Sequence, residues 1–440
     1  MQSIRDLLCS QFSAFKSDKR LVVAYSGGLD SHVLLHGLTA LRNSIPDAFG
    51  LEALHIHHGV NPQADLWVTH CQSVCDLLEV PLTVSYVQCD TSQASLENQL
   101  RNARYQAFSE FLRADDVLVL AHHGDDQAET LLLRTLRGAG PQGLSGMPVE
   151  RSLGQGHLAR PLLNIGRADL QAYAQQSQLN WVEDDSNADT VFDRNFLRHE
   201  VMPQLAQRWP HYRASFLRNA QVAKDARQSL DYFLTRELQP QMDQHQGGLS
   251  CSWLAGYAPA VQINLLRAWL NQCGLPLPGY RHLQQVLNEV VNARVDAQPL
   301  VNWPGVEVRR FRGAVWAMKP LLEHDAKARF TWNLEQDLVL PGAGVLSIAA
   351  DADGDFYVPS GSVITVAFRQ GGERCKVVGH AHSTLLKKLL NSVQLAPWLR
   401  DRLPLIYVDG ELAALGDVAV CDGFHRQQGR QGYVLHWLRP

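Results

Sequence analysis

No run of about 18 apolar residues occurs in the chain, so no segment reads as a membrane-spanning helix. The opening stretch, MQSIRDLLCSQF, lacks the basic region and long apolar core of a secretory signal. Both absences predict a cytoplasmic location and no membrane partner. The eight cysteines (Cys9, Cys71, Cys75, Cys89, Cys251, Cys273, Cys375, Cys421) include no C-x-x-C pair, which argues against a disulfide framework and a zinc knuckle. Cys71 and Cys75, four apart, read as two thiols on the buried face of a helix. No G-x-x-x-x-G-K-[ST] occurs, so a Walker-type phosphate loop is excluded. A strong charge bias is missing as well: 40 basic against 44 acidic residues leave a net charge of −4, which does not suggest a general nucleic-acid binder.

What is present suits a soluble chain of two or three domains: 440 residues, 45% apolar and 19% charged. Charge is unevenly spread. From position 361 to the end, ten Lys or Arg face six acids, an excess of four positive charges on an otherwise acidic chain.

Through the first two hundred residues, short apolar runs (22–25, 51–57, 82–87, 117–121, 158–162) alternate with stretches of helical spacing (31–41, 64–78, 95–112, 125–137, 167–176). This βαβα alternation predicts an α/β fold, a doubly wound parallel sheet with its ligands at the carboxyl ends of the strands. Beyond Arg208-Trp209-Pro210 the pattern turns helical (223–238, 258–271, 280–291), then forms short strands around PLVNW, VEVRRF and AVWAM. The charged stretch 323–329 leads into a Gly-rich β segment at 338–369, a helix at 383–395 and strands at 405–408 and 412–415. The expected domains are therefore 1–210, a mainly helical 211–322 with a small β-meander, and a small basic α+β domain, 323–440.

Two stretches carry chemistry. In Ser26-Gly27-Gly28-Leu29-Asp30-Ser31 a strand meets a helix N-terminus, where backbone amides and the helix dipole face an anion together. The glycines let the main chain approach, Ser26 and Ser31 add hydroxyls, and Asp30 makes sense as a ligand for Mg²⁺ that arrives with a nucleotide. In Ala121-His122-His123-Gly124-Asp125-Asp126-Gln127-Ala128-Glu129-Thr130, Asp126 and Glu129 share one helical face near its N-terminus, suited to a metal or an ammonium group. With His55, His57 and His58 at another strand end, a metal-hydrolase reading is an alternative, although the order matches neither H-x-H-x-D-H nor H-E-x-x-H. Gly138-Ala139-Gly140-Pro141-Gln142-Gly143 fits G-x-G-x-x-G but follows a helix and contains a proline, so it does not read as a dinucleotide site.

The 26–31 loop resembles the S-G-G-x-D-S loop of the N-type ATP pyrophosphatases, or PP-loop enzymes. Together with A-H-H-x-D-D-Q-x-E-T, the stretches ENQLRNARY (97–105), RGAGPQGLSGM (137–147), RPLL (160–163) and EDDSNADTVFDRNFLR (183–198) resemble the tRNA(Ile)-lysidine synthetases. The resemblance implies ATP-dependent joining of free L-lysine to C2 of the wobble cytidine in a tRNA(Ile) with a CAU anticodon, through an adenylated tRNA, with release of pyrophosphate and AMP. The codon read then changes from AUG to AUA. It implies ATP and Mg²⁺ as cofactors, with Ser26, Gly27, Gly28, Leu29, Asp30 and Ser31 around the nucleotide, Ala24 and His55 flanking the adenine, and Asp30 on the metal. It assigns Asp126 and Glu129, with His122, to the lysine, and makes Asp126, Glu129, Asp30 and Arg194 the catalytic set. Arg101, Arg104, Arg194 and Arg198 are candidates for the α-phosphate or the tRNA backbone. In the last domain Arg369, Arg374, Lys387, Lys388, Arg400 and Arg402 fall in stretches that resemble the family's tRNA-gripping domain, and Arg309, Arg310 and Arg312 of the middle domain are weaker tRNA candidates. The family's members are often dimers, so a homodimer is also expected. The alternative is another PP-loop tRNA-modifying enzyme, such as a 2-thiocytidine synthetase, but that chemistry needs cysteine pairs that this sequence lacks.

Overall fold

The central strands of the first two hundred residues are apolar on both faces, as a sheet sandwiched between helices requires. In the computed structural model β1 (Arg20–Ala24), β2 (Gly50–His57), β3 (Leu82–Tyr86), β4 (Val117–Val119), β5 (Glu150–Leu153) and β6 (Gly156–Ala159) form one sheet in the order β3-β2-β1-β4-β6-β5. All pairings are parallel except the β5–β6 hairpin. The helices are α1 (Ile4–Phe12), α2 (Leu29–Ser44), α3 (Ala64–Leu77), α4 (Leu96–Phe111), α5 (Gly124–Leu136), α6 (Pro141–Leu144), α7 (Arg167–Gln176) and α8 (Asp193–Phe196). The described residues are 4–15, 18–45, 48–87, 96–185, 189–245, 247–294, 297–351, 353–378, 382–393, 395–426 and 430–440. Cys89, the start of the helix expected at 95, and positions 186–188 of the acidic stretch lie outside them.

The two faces of the sheet carry separate cores. Leu21 and Val23 of β1 pack with Leu8, Leu34, Leu38 and Leu170, while Val22 between them packs with Leu54, Phe108, Leu112 and Leu118. Sheet order reverses between β1 and β4, the switch point at which an open α/β sheet binds ligands beyond its strand ends. At the other end Arg20 ties three strands together, bonding Glu52 of β2 at 2.7 Å and Asp116 just before β4.

The chain divides into two units, Met1–Leu230 and Asp231–Pro440, and the division falls inside a 33-residue helix, Tyr212–Gln244. In the second unit, Leu249–Ser250, Ala314–Met318, Val306–Phe311 and Leu300–Trp303 form an antiparallel sheet backed by the consecutive helical segments Tyr280–Gln285 and Val286–Val291. A separate core around Trp332, Phe368, Leu405 and Trp437 holds the C-terminal segment. Its sheets include Gly344–Asp351 paired with the last strand, Gly432–Leu438. Trp398 of this segment meets Arg309 and Phe311 of the preceding sheet, at 5.7 and 5.9 Å.

Candidate active site

β1 ends at Ala24, and the chain turns through the glycines into α2, which begins at Leu29 with Gly28 in extended conformation at its N-cap. No side chain caps this helix, so its first amides remain open to an anion. The two hydroxyls brace the loop: Ser31 Oγ donates to Gly28 O at 2.9 Å and accepts from Ser26 N at 3.2 Å, and it lies 3.1 Å from Ser26 Oγ. Gly27 sits at φ +81°, and a Cβ there would meet Cys71 Sγ and Val182 Cγ2 at 3.0 Å. Its carbonyl accepts from Val182 N at 3.0 Å. Gly27→Ala should therefore cost about 1–2 kcal/mol for the left-handed backbone alone. It should lower the thermal midpoint by a few degrees and weaken ATP binding at least tenfold by calorimetry; an unchanged ATP affinity would show that the loop does not hold the nucleotide.

A cavity of about 680 Å³ opens at the carboxyl ends of β1, β2 and β4. Ala24, Ser26, Gly28, Asp30, Ser31, His55, Arg104, His122 and Asp126 all border it. Asp30 Oδ1 is a buried oxygen with no hydrogen-bond partner, and Oδ2 lies 3.6 Å from His123 Nε2. His55 is buried, with Nδ1 2.9 Å from the Tyr25 carbonyl, and burial lowers its pKa.

His123 caps α5: its Nδ1 accepts from Asp126 N while Asp126 Oδ2 accepts from His123 N at 2.9 Å. This reciprocal cap fixes the first turn and leaves His123 Nε2 between two carboxylates, 3.6 Å from Asp30 and 3.5 Å from Asp126. Burial opposes its charge, but Asp30, Asp126 and Asp125 outweigh burial and raise its pKa. His122 behaves oppositely. Burial, helped by Arg160 and neighbouring arginines, pushes its pKa down to about 3, and Nδ1 accepts from Arg160 Nε at 3.2 Å.

Asp126 and Glu129 do share one face of α5, and both are buried against two guanidiniums. Arg194 Nη2 reaches Asp126 Oδ1 and its Nε reaches Glu129 Oε2, both at 2.9 Å. Arg198 Nη2 reaches the same Asp126 oxygen at 2.9 Å, and its Nε reaches Glu129 Oε1 at 2.8 Å. Two carboxylates and two guanidiniums thus form a closed quartet. Burial would raise the Asp126 pKa, but His123 and Arg194 hold it well below the usual carboxylate range.

This geometry alters two sequence expectations. Glu129, expected to orient and deprotonate lysine, has both oxygens engaged by arginines and is only 2% exposed. Arg198, expected on the tRNA backbone, turns its guanidinium into the quartet instead. Asp126 is the member that borders the cavity. The other histidines do not assemble into a metal site: His57 pairs with Asp65 at 3.1 Å, and among the described residues no group of three or more His, Cys, Asp or Glu side chains is placed to hold an ion.

In the C-terminal segment the basic residues separate into two sets. Lys387 and Lys388 are exposed on the helix Leu386–Ser392, and Arg374 is exposed while holding Ser383 O. Arg369 faces Asp401 at 3.4 Å, Arg400 holds Leu395 O and Asn391, and Arg402 holds Gly342 O. These last three brace the fold, and Lys387, Lys388 and Arg374 offer charge to solvent. Arg310 of the middle domain holds the Val291 and Ala293 carbonyls, and Arg309 pairs with Glu307 at 2.8 Å.

The PP-loop domain family matches residues 2–205, the TilS substrate binding domain 249–316 and the TilS substrate C-terminal domain 364–437. The tRNA(Ile)-lysidine synthase of Serratia proteamaculans is 42% identical over 423 residues, covering 96% of both chains. The chain belongs to the tRNA(Ile)-lysidine synthase family. The family's Coxiella burnetii member is 40% identical over 96% of this chain and 94% of its own. Among solved structures, the U34-tRNA thiolase NcsA from Methanococcus maripaludis covers 50% of this chain and 77% of its own at 14% identity, with a TM-score of 0.43. Within this site a residue that sequence reasoning left out is His123. Its place after a strand and three residues before Asp126 was the available signal for a helix cap, but its contact with Asp30 joins two motifs 93 positions apart and has no local signature.

Proposed function

We infer that this chain uses ATP to join free L-lysine to C2 of the wobble cytidine in tRNA(Ile) with a CAU anticodon. The observation that carries this reading is the 42% identity over 96% of the chain with a tRNA(Ile)-lysidine synthase. In the first step the cytidine C2 oxygen attacks the α-phosphorus of ATP and pyrophosphate leaves; in the second, the lysine ε-amine attacks C2 and AMP leaves.

The residues fit these steps as follows. The uncapped amides of α2 and the Gly27–Gly28 backbone receive the triphosphate, and Ala24 and His55 flank the adenine. The partnerless Asp30 oxygen fits a Mg²⁺ ligand, and ATP oxygens and water would complete the coordination. Bound there, Mg²⁺ would spread the charge of the leaving pyrophosphate. His123 fixes the other Asp30 oxygen.

Asp126 receives the lysine ammonium. Its depressed pKa suits an anchor and makes it a weak base, so it takes the proton late, as the new C–N bond acidifies the nitrogen. Glu129 acts through Arg194 and Arg198, holding them beside Asp126. Neutral His122, fixed by Arg160, closes the lysine side of the cavity. The exposed Lys387, Lys388 and Arg374 add non-specific attraction for the tRNA backbone. We place the reaction in the cytoplasm; among the described residues no helix is long and apolar enough to cross a membrane.

The test is ATP- and Mg²⁺-dependent transfer of labelled lysine to a tRNA(Ile) transcript with a CAU anticodon. Label is expected on that transcript and not on one whose wobble cytidine is changed to uridine. No label, or equal label on both, overturns the reading.

A further inference from the structure

Four guanidiniums gather around one tyrosine on the wall of the cavity. Arg101 lies 5.1 Å and Arg151 5.2 Å from the Tyr105 ring centre, Arg160 donates to the Tyr105 hydroxyl at 3.3 Å, and Arg104 precedes Tyr105 on α4 and borders the cavity with it. None of the four has a carboxylate partner among the described residues.

Strand geometry explains how Arg151 reaches the ring. In the β5–β6 hairpin Arg151 opposes Leu158 and Leu153 opposes Gly156. Side chains two apart share a face, so Arg151 points with Leu153 toward the core formed by Tyr105, Phe108 and Phe111, and Glu150 points to the other face. Arg160 completes the support, bonding Pro148 O at 2.8 Å. The field is strong enough to show on the ring itself: burial would raise the Tyr105 pKa, but Arg160 and Arg101 lower it. Folding like charges together without counter-ions is unfavourable, so the arrangement is suited to an anion that arrives from outside.

We propose that Arg101 and Arg151, gathered on Tyr105, and Arg104 at the cavity wall form a clamp for the tRNA phosphates that flank the cytidine entering the cavity. The proposal rests on the lysidine-forming reading and adds the β5–β6 hairpin to the tRNA-binding surface. The shared chemistry is phosphate, which ATP also carries. β5 is an edge strand three places from β1, so the hairpin and the 26–31 loop are different elements, and the ATP arm of the experiment separates the two phosphate sources.

The experiment measures tRNA(Ile) transcript binding across a salt series and ATP binding without tRNA, for the wild type, Arg101→Ala, Arg151→Ala and Arg151→Lys. Each alanine variant should bind tRNA about tenfold more weakly at physiological salt and flatten the log–log salt slope by about one. ATP affinity should not change, and Arg151→Lys should restore most of the slope. Arg151 is exposed, so its removal leaves the fold intact, which the thermal midpoint checks. Wild-type tRNA affinity and slope in Arg151→Ala overturn the clamp, and equal weakening of ATP and tRNA assigns the cluster to the nucleotide instead. If the wild type itself shows no salt-dependent tRNA binding, the lysidine-forming reading fails with it.

Discussion

Asp126→Asn should lower lysine transfer about 10³-fold while tRNA affinity stays within about twofold of wild type. The substitution keeps the shape and removes the charge. An asparagine oxygen still accepts the His123 amide, but the amide nitrogen then meets the Arg194 and Arg198 Nη2 groups that Asp126 Oδ1 holds at 2.9 Å. Turned the other way, the nitrogen meets the His123 N–H. A donor faces a donor in both orientations, which should cost about 1–3 kcal/mol of stability and leave most molecules folded. The larger loss falls on the second step, because the ammonium loses the charge of a buried carboxylate at the cavity wall, a contribution of about 4 kcal/mol at the transition state. Single-turnover transfer from preformed adenylated tRNA reads that step alone. If tRNA binding is lost instead, Asp126 has another role. The sign of the pH effect is also set: the Asp126 pKa is depressed on folding, so its contribution to stability is complete above about pH 4 and lost only as pH falls below that.

Asp30→Asn should lower pyrophosphate release about 10²–10³-fold and leave the fold unharmed. The buried Oδ1 has no partner to lose and an amide oxygen can keep the 3.6 Å contact that Oδ2 makes with His123, so the thermal midpoint should fall by no more than a few degrees. ATP binding separates the causes. In EDTA the variant should bind ATP as tightly as the wild type or more tightly, because a negative charge beside the triphosphate has gone. With Mg²⁺ added, the wild type should gain affinity and the variant should not. A variant that keeps the Mg²⁺-dependent gain would remove Asp30 from the metal.

The parallel sheet and both motifs were legible because their signals are local: an apolar run, a turn and a helical period within some thirty residues. The helix 167–176 matches its expectation residue for residue. Elements with no local apolar signal, or paired with distant segments, were not legible. Glu150–Leu153 is largely exposed at a sheet edge, so it shows no apolar alternation, and the hairpin it forms was missed. The last strand, Gly432–Leu438, pairs with Gly344–Asp351 across 81 to 93 positions. The long helix Tyr212–Gln244 was read only over 223–238, because it is polar on most sides and Pro240 looks like a stop. In the site, each member of the quartet was named from the sequence, but the bonds between 126 or 129 and 194 or 198 span 65 to 72 positions. Reading Glu129 and Arg198 as ligand-facing followed from their side-chain chemistry, which cannot show that each is already partnered by the other.

The closed quartet has a further consequence on the proposed reading of the site. It is electrically balanced before any substrate arrives, two negative charges against two positive ones. An ammonium that approaches Asp126 enters by exchange, displacing part of a guanidinium's hold on the same oxygen. Lysine affinity is then a difference between two ion pairs and stays moderate however deeply the carboxylate is buried. Shape discriminates as well as charge: a planar guanidinium competes with the forks already in place, whereas a compact ammonium can share the oxygen with them.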